Sequence, residues 1–237
     1  MHPQVVSNAV VNPDLAEFPL SYRPERQATG HVVPVSLLER KAAGETLFAE
    51  GDEANNIFEI VRGVLRIVKL LPDGRRQITG FLSAGHVVGL APEGIHVYSA
   101  EAVTEVTLRR YRRAAFERLI DEVPGFAKKL LAVTSHELRL AQDQMLLLGR
   151  KTAMERIASF LLIIMEQQAG DSEEIVDVPM TRSDIADYLG LTIETVSRTL
   201  TKLKQDGFIA LLTPNRMKIQ NLDELVELAA GSYDTSL

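Results

Sequence analysis

No cysteine occurs among the 237 residues. That one absence excludes disulfides, thiolate metal sites and cysteine-ligated iron–sulfur clusters together, and it fits a reducing cytoplasm. There is no apolar run near 18 residues, so no membrane span is expected. No basic stretch leads into an apolar one near the start, so no secretory signal is expected and the cytoplasm is the expected compartment. No nucleophile–base arrangement, metal-ligand spacing or glycine-rich phosphate loop stands out, which argues against an enzyme. What is present is a globular composition, 46% hydrophobic and 24% charged, with enough chain for one large or two ordinary domains.

The segment PMTRSDIADYLGLTIETVSRTLTKLKQDG, from Pro179 to Gly207, reads as two short helices and a tight turn. Thr181 can cap the first helix, and Asp184 three residues on completes a capping box. Ile185, Ala186 and Leu189 fall on one face of it. Gly190 supplies the change of direction. Thr192 can cap the second helix, where Val196, Leu200 and Leu203 recur at helical spacing. Glu194, Ser197, Arg198, Thr201 and Lys202 are left pointing outward. Such a helix-turn-helix presents its second helix to a DNA major groove. Arginine can fork onto guanine O6 and N7, and glutamate can accept from the cytosine amino group. Glu194 and Arg198 are four apart and share a face, so they suit neighbouring base pairs. The competing reading is a plain surface i,i+4 ion pair, worth about 0.2–0.5 kcal/mol.

A net charge of −6 looks wrong for a DNA binder, and the residues after Arg150 are more acidic than those before. The cations are local, however. Between Thr195 and Lys218 lie Arg198, Lys202, Lys204, Arg216 and Lys218 against Asp206 alone. Phosphates respond to charge within about 8–10 Å at physiological salt. Acidic surroundings weaken promiscuous binding, so the balance favours specific contact.

Residues 1–30 show scattered prolines and no sustained period, which predicts a poorly ordered or loosely docked arm. From about Val32 to Arg113 short apolar strands alternate with turn residues, the pattern of a jelly roll or related β-barrel sandwich. Ile57–Val61 and Val64–Val68 are expected to form a hairpin across Arg62-Gly63, and Pro72-Asp73-Gly74 a tight turn. Ala127, Leu131, Thr134, Leu138, Ala141, Met145, Leu148 and Thr152 then recur alternately by four and three. That heptad seam reads as a parallel dimer helix, or as a helix packed on its own β domain; one helix can serve both demands on different faces. Gly149-Arg150 marks the expected hinge. Ala153, Ile157, Phe160, Leu161 and Ile164 form the next apolar stripe. After Gly207, Phe208–Leu211 and Met217–Ile219 bracket Thr213–Arg216 as a β-hairpin wing, with Arg216 near phosphate or simply at the surface. The tail beyond Ala230 is expected to be mobile.

A β-roll, a long dimer helix and a winged helix-turn-helix in this order resemble the Crp/Fnr transcription regulators over about residues 30–225. GETLFAEGDEANNIFEIVRGVLRIVKLLPDGRRQITGFLSAGHVVG is similar to the family's β-roll signature. MTRSDIADYLGLTIETVSRTL is similar to its Fnr-type DNA reader, with Glu194, Ser197 and Arg198 in the E-x-x-S-R positions. Lacking Fnr-type cysteines and carrying Ser99-Ala100-Glu101-Ala102, the chain looks most like the FixK branch. The resemblance implies an α+β fold: an arm (1–30), a jelly-roll β domain of cyclic-nucleotide-binding type (31–115), a dimerisation helix region (116–150), a winged helix-turn-helix (151–230) and a tail (231–237). It implies a homodimeric activator at palindromes with TTGA-like half-sites, working with RNA polymerase and binding no membrane. By carry-over, Arg198 reads guanine, Glu194 the opposing cytosine side, and Ser197 lies near thymine. Thr181, Arg182, Ser183, Thr192 and Thr195 match positions near phosphates, joined by Lys202 and Arg216. Leu131, Thr134, Leu138, Ala141, Met145 and Leu148 form the expected dimer interface.

The departures from the family concern the sensory domain. Cyclic-nucleotide members carry Gly-Glu and a later Arg-Ser. Here Leu90 follows Gly89, and no Arg or Lys occurs from His86 to Ala102. A buried phosphate would lack its charged partner, at a cost of several kcal/mol, so no cofactor and no cyclic-nucleotide response are expected. Neither His86 nor His96 sits in a haem-ligand constellation. A ligand-gated use of the β-roll pocket and a repressor role are the alternatives.

Overall fold

The computed structural model describes residues 36–91, 93–168 and 174–231. The N-terminal arm and residues 232–237 of the tail lie outside this range. Eleven strands and six helices follow one another in the described chain. Strands β1 (Leu37–Lys41), β2 (Thr46–Phe48), β3 (Asn56–Arg62), β4 (Leu65–Leu70), β5 (Arg76–Leu82), β6 (Val87–Val88), β7 (Ser99–Ala102) and β8 (Val106–Arg112) come first. They form two four-stranded sheets, ordered β1-β8-β3-β6 and β2-β7-β4-β5. Alternation along each strand turns one set of side chains inward. Phe58, Ile60, Val88, Val106 and Leu108 from the first sheet meet Phe48, Leu65, Ile67, Ala100 and Ala102 from the second. This is the expected β-roll.

The expected hairpin across Arg62-Gly63 does not form. β3 pairs with β8 and β6, whereas β4 pairs with β7, so the chain crosses from one sheet to the other at this corner. Gly63 makes the crossing with φ +91°, and a Cβ there would lie 2.3 Å from the Glu105 carbonyl oxygen. Two apolar runs with a glycine between them read alike in sequence whether they pair or part; contact with the 104–106 segment decides it. The Pro72-Asp73-Gly74 turn forms as expected, with Leu71 N–H donating to the Arg75 carbonyl at 2.9 Å.

Helix α1 (Arg113–Glu122) leads into the long α2 (Phe126–Arg150). Phe126 and Val133 of α2 are buried with Ile57, Val87, Tyr111 and Phe116. The seam residues stand on another face: Leu131, Leu138 and Met145 are each more than 60% exposed, and Ala127, Thr134 and Ala141 are exposed too. Both readings of the heptad therefore have a face of their own. Two details differ from expectation. The helix runs through Gly149-Arg150 without a break, a single interior glycine costing only about 1 kcal/mol. The break falls at Lys151-Thr152, and Thr152 is not a seam residue: its side chain accepts from the Glu155 N–H while Glu155 accepts from the Thr152 N–H. That reciprocal cap starts α3 (Ala153–Gln167). Leu148, half-buried, approaches Gly190 rather than standing free on the seam.

The remaining elements are β9 (Ile175–Asp177), α4 (Arg182–Leu189), α5 (Ile193–Gln205), β10 (Ile209–Thr213), β11 (Arg216–Ile219) and α6 (Leu222–Ala230). The chain divides into two compact units, one of residues up to Lys69 with Thr79–Arg139, the other of Leu70–Ile78 with the chain from Leu140 onward. In the second, α3 buries Ile157, Ala158, Phe160, Leu161 and Ile164, and α6 packs on it through Leu225, Leu228 and Ala229. No helix among the described residues is long and apolar enough to cross a membrane.

Candidate nucleic-acid interface

Two capped helices build the candidate reader. At the start of α4 the Asp184 N–H donates to Thr181 Oγ1 at 3.1 Å, and the Thr181 N–H donates to Asp184 Oδ2 at 3.1 Å. The capping box expected from the spacing is therefore in place. Asp184 is only 1% exposed, and Arg76, within the same unit, donates to its other oxygen at 2.9 Å and to Asp187 at 2.8 Å. Nothing in the local sequence announces that partner, which is more than a hundred residues away. Gly190 ends α4 in the left-handed region, φ +62° and ψ +41°, a conformation that disfavours any Cβ. Thr192 caps α5, accepting from the Thr195 N–H at 3.2 Å.

Helix α5 is divided cleanly. Val196, Thr199, Leu200 and Leu203 are buried. Ile193, Glu194, Ser197, Arg198, Thr201 and Lys202 are exposed. Glu194 sits in the first turn, where backbone N–H donation and the Thr192 hydroxyl hold its carboxyl below the usual range. It is thus an ionised acceptor at neutral pH, the state that suits a cytosine amino group. Glu194 and Arg198 make no direct ion pair, and among the described residues Arg198 Nη2 donates to Thr195 Oγ1 at 3.5 Å. The two charges still attract, Arg198 adding to the lowering of the Glu194 carboxyl, but no direct bond joins them. Lys202 and Lys204 make no ion pair among the described residues.

Arg182 and Ser183 are half-buried in the first turn of α4, with Thr181 exposed beside them. Arg216 stands at the surface. The wing turns at Pro214-Asn215, and Arg216 opens β11 beside that tip, with its Nε 3.3 Å from Asp177 Oδ1. Lys218 is held likewise by Glu174 at 3.0 Å. Counting charge along the chain could not reveal this, because the two carboxylates, Asp177 of β9 and Glu174 just before it, come from about forty residues upstream through the pairing of β9 with β11. Among the described residues, the positive charge of the reader that makes no ion pair is carried by Arg182, Arg198, Lys202 and Lys204. The sequence reading also passed over Ile193. It is apolar and stands three residues before Val196, a spacing that would suit the core, yet it is 47% exposed beside Glu194.

Comparisons with known proteins agree with this geometry. Residues 155–228 match the Crp-like helix-turn-helix domain, and residues 38–123 match the cyclic nucleotide-binding domain. The chain is 45% identical over 173 residues to the nitrogen fixation regulation protein FixK of Bradyrhizobium diazoefficiens, covering 72% of this chain and 73% of that protein. It is 42% identical over 189 residues to the transcriptional activatory protein AadR of Rhodopseudomonas palustris, covering 79% of each. Among solved structures it is similar to FixK2 from Bradyrhizobium japonicum, with a TM-score of 0.77 and 40% identity over 82% of this chain and 97% of that one.

Proposed function

The chain belongs to the Crp/Fnr family of transcription regulators, in its FixK branch, and from that premise we propose how this DNA-binding activator, which is not an enzyme, reads its site. The observation that carries the proposal is the division of α5: one face locked in the core, the other presenting Glu194, Ser197 and Arg198 with no ion pair between Glu194 and Arg198. Arg198 forks onto guanine, Glu194 accepts from the cytosine side, and Ser197 lies near thymine. Ile193 adds an apolar contact suited to a thymine methyl group. Thr181, Arg182, Ser183, Thr192, Thr195 and Lys202 meet the phosphates. Arg216 beside the wing tip joins them by exchanging its exposed pair with Asp177 for a phosphate, a pair worth only about 0–1 kcal/mol.

The active form is a homodimer, paired through Leu131, Thr134, Leu138, Ala141 and Met145, with Leu148 at the edge. Its two α5 helices enter successive major grooves about 34–36 Å apart on a palindrome with TTGA-like half-sites. Residues 31–115 serve as platform, 116–150 as the pairing region and 151–230 as the reader. Binding proceeds in the cytoplasm without a cofactor, and the bound dimer recruits RNA polymerase. Support comes from the free apolar seam and from the lack of any Arg or Lys between His86 and Ala102 to hold a cyclic phosphate. Binding to duplexes substituted one base pair at a time tests the reader. Arg198→Ala is expected to lose about 1–3 kcal/mol and to stop discriminating at the guanine; unchanged preference at every position refutes the assignment. Calorimetry with cyclic AMP and cyclic GMP tests the cofactor-free reading, which micromolar binding overturns.

A further inference from the structure

All three guanidinium nitrogens of Arg156 donate to backbone carbonyls. Nε donates to the Lys151 carbonyl at 2.9 Å, Nη2 to that of Leu148 at 2.9 Å, and Nη1 to that of Leu189 at 2.8 Å. Leu148 lies in the last turn of α2, Lys151 directly follows that helix, and Leu189 is the last residue of α4. One side chain therefore caps the C-termini of two helices, where carbonyls lack intrahelical partners and the helix dipole favours a cation. A second tie runs parallel to it. Gln144, buried in α2, donates from Nε2 to the Tyr188 carbonyl at 3.3 Å. Leu148 completes the junction: its Cδ2 lies 3.5 Å from where a Cβ on Gly190 would stand. All these groups belong to the second compact unit. The end of the pairing helix is thus bonded to the helix and turn that immediately precede the reading helix.

We propose that Arg156 is a positioning residue for DNA recognition: by fixing the end of α2 to the end of α4, it sets the angle at which each reading helix leaves the paired rod, and so the half-site spacing the dimer accepts. The inference rests on the dimeric reading above. Arg156 needs no contact with DNA for this role, since each of its three guanidinium nitrogens already donates to a backbone carbonyl. A lysine in its place keeps the charge but cannot reach three carbonyls in different directions. Loss of the clamp frees the angle while leaving Glu194, Ser197 and Arg198 on their helix.

Full-length protein and a panel of palindromes differing only in spacer length supply the test. Wild type, Arg156→Lys and Gln144→Leu are compared by titration, with sedimentation and thermal melting confirming folded dimers. The two variants guard against one of them failing to fold. The expected result is that the preference for the best spacer over one base pair longer or shorter narrows by about tenfold, while discrimination at the half-site guanine stays as in wild type. A merely structural role would weaken binding to every spacer alike, and that outcome, or a wild-type spacer profile in both folded variants, overturns the inference. A wild-type protein indifferent to spacer length overturns the dimeric reading itself, and this inference with it.

Discussion

At the scale of single residues, what distinguishes the exposed face of α5 is which charges remain unpaired. Arg198, Lys202 and Lys204 make no ion pairs among the described residues, whereas Arg216 and Lys218, equally basic in the sequence, are held by Asp177 and Glu174. Surface pairs of this kind are individually weak, about 0–1 kcal/mol, but they cancel local field where DNA would feel it. Lys202 has no hydrogen-bond acceptor among the described residues to give up on meeting a phosphate. Lys202→Ala is expected to weaken binding to all sequences alike and to lower the slope of log affinity against log salt by about one, read from titrations at several salt concentrations. A sequence-dependent loss would place Lys202 on a base instead.

Among the elements, α4 and α2 show how the same few interactions serve stability and function. The Thr181–Asp184 box satisfies backbone donors at the start of α4. Thr181→Ala is expected to lower stability by about 0.5–2 kcal/mol, measured as a shifted denaturation midpoint with unchanged slope. Helix α2 uses one face for its own core and leaves Leu131, Leu138 and Met145 in the open. A charge placed in that seam opposes pairing and leaves Phe126 and Val133 untouched. Leu138→Asp is expected to sediment as a folded monomer and to lose on the order of a hundredfold in affinity for a full palindrome, because the second half-site no longer benefits from tethering. A dimer that persists in this variant would move the pairing surface elsewhere.

For the whole molecule, pH dependence follows from two groups, the half-buried Glu137 and the buried His96. Glu137 on α2 has an oxygen, Oε1, with no hydrogen-bond partner among the described residues, and burial pushes its carboxyl from 4.5 up to about 7. The folded state then binds more protons than the unfolded one between those values. Stability falls as pH rises through that window and levels off above about 7. His96 acts in the opposite sense. Stacked on Phe48 at 3.7 Å, it is held below its ordinary 6.5 by burial, helped by the charge of Arg113, so stability falls as pH drops below about 6.5. Glu137→Gln removes the first effect alone. Its melting advantage over wild type is expected to grow between pH 5 and 7, reaching about 3 kcal/mol at most. An advantage independent of pH would mean that Glu137 stays ionised in the folded protein.

The reader was legible in the sequence because its determinants are local. Capping residues, the glycine turn and apolar spacing act within four residues of one another, so Thr181, Asp184, Gly190, Thr192 and the exposed Glu194, Ser197 and Arg198 stand where periodicity put them. The order of β-roll, long helix and winged reader was equally plain, since each has its own period. What only the tertiary structure decided depends on contacts between distant segments. Those contacts send β3 and β4 to opposite sheets around Gly63, carry α2 through Gly149-Arg150 to a break at Lys151-Thr152, pair Arg216 with Asp177 of β9, and turn Arg156 toward three carbonyls at the ends of two helices. Short-range backbone preferences cannot encode such choices, because each is settled by which distant carbonyl, carboxylate or chain segment arrives beside the residue once the chain has folded.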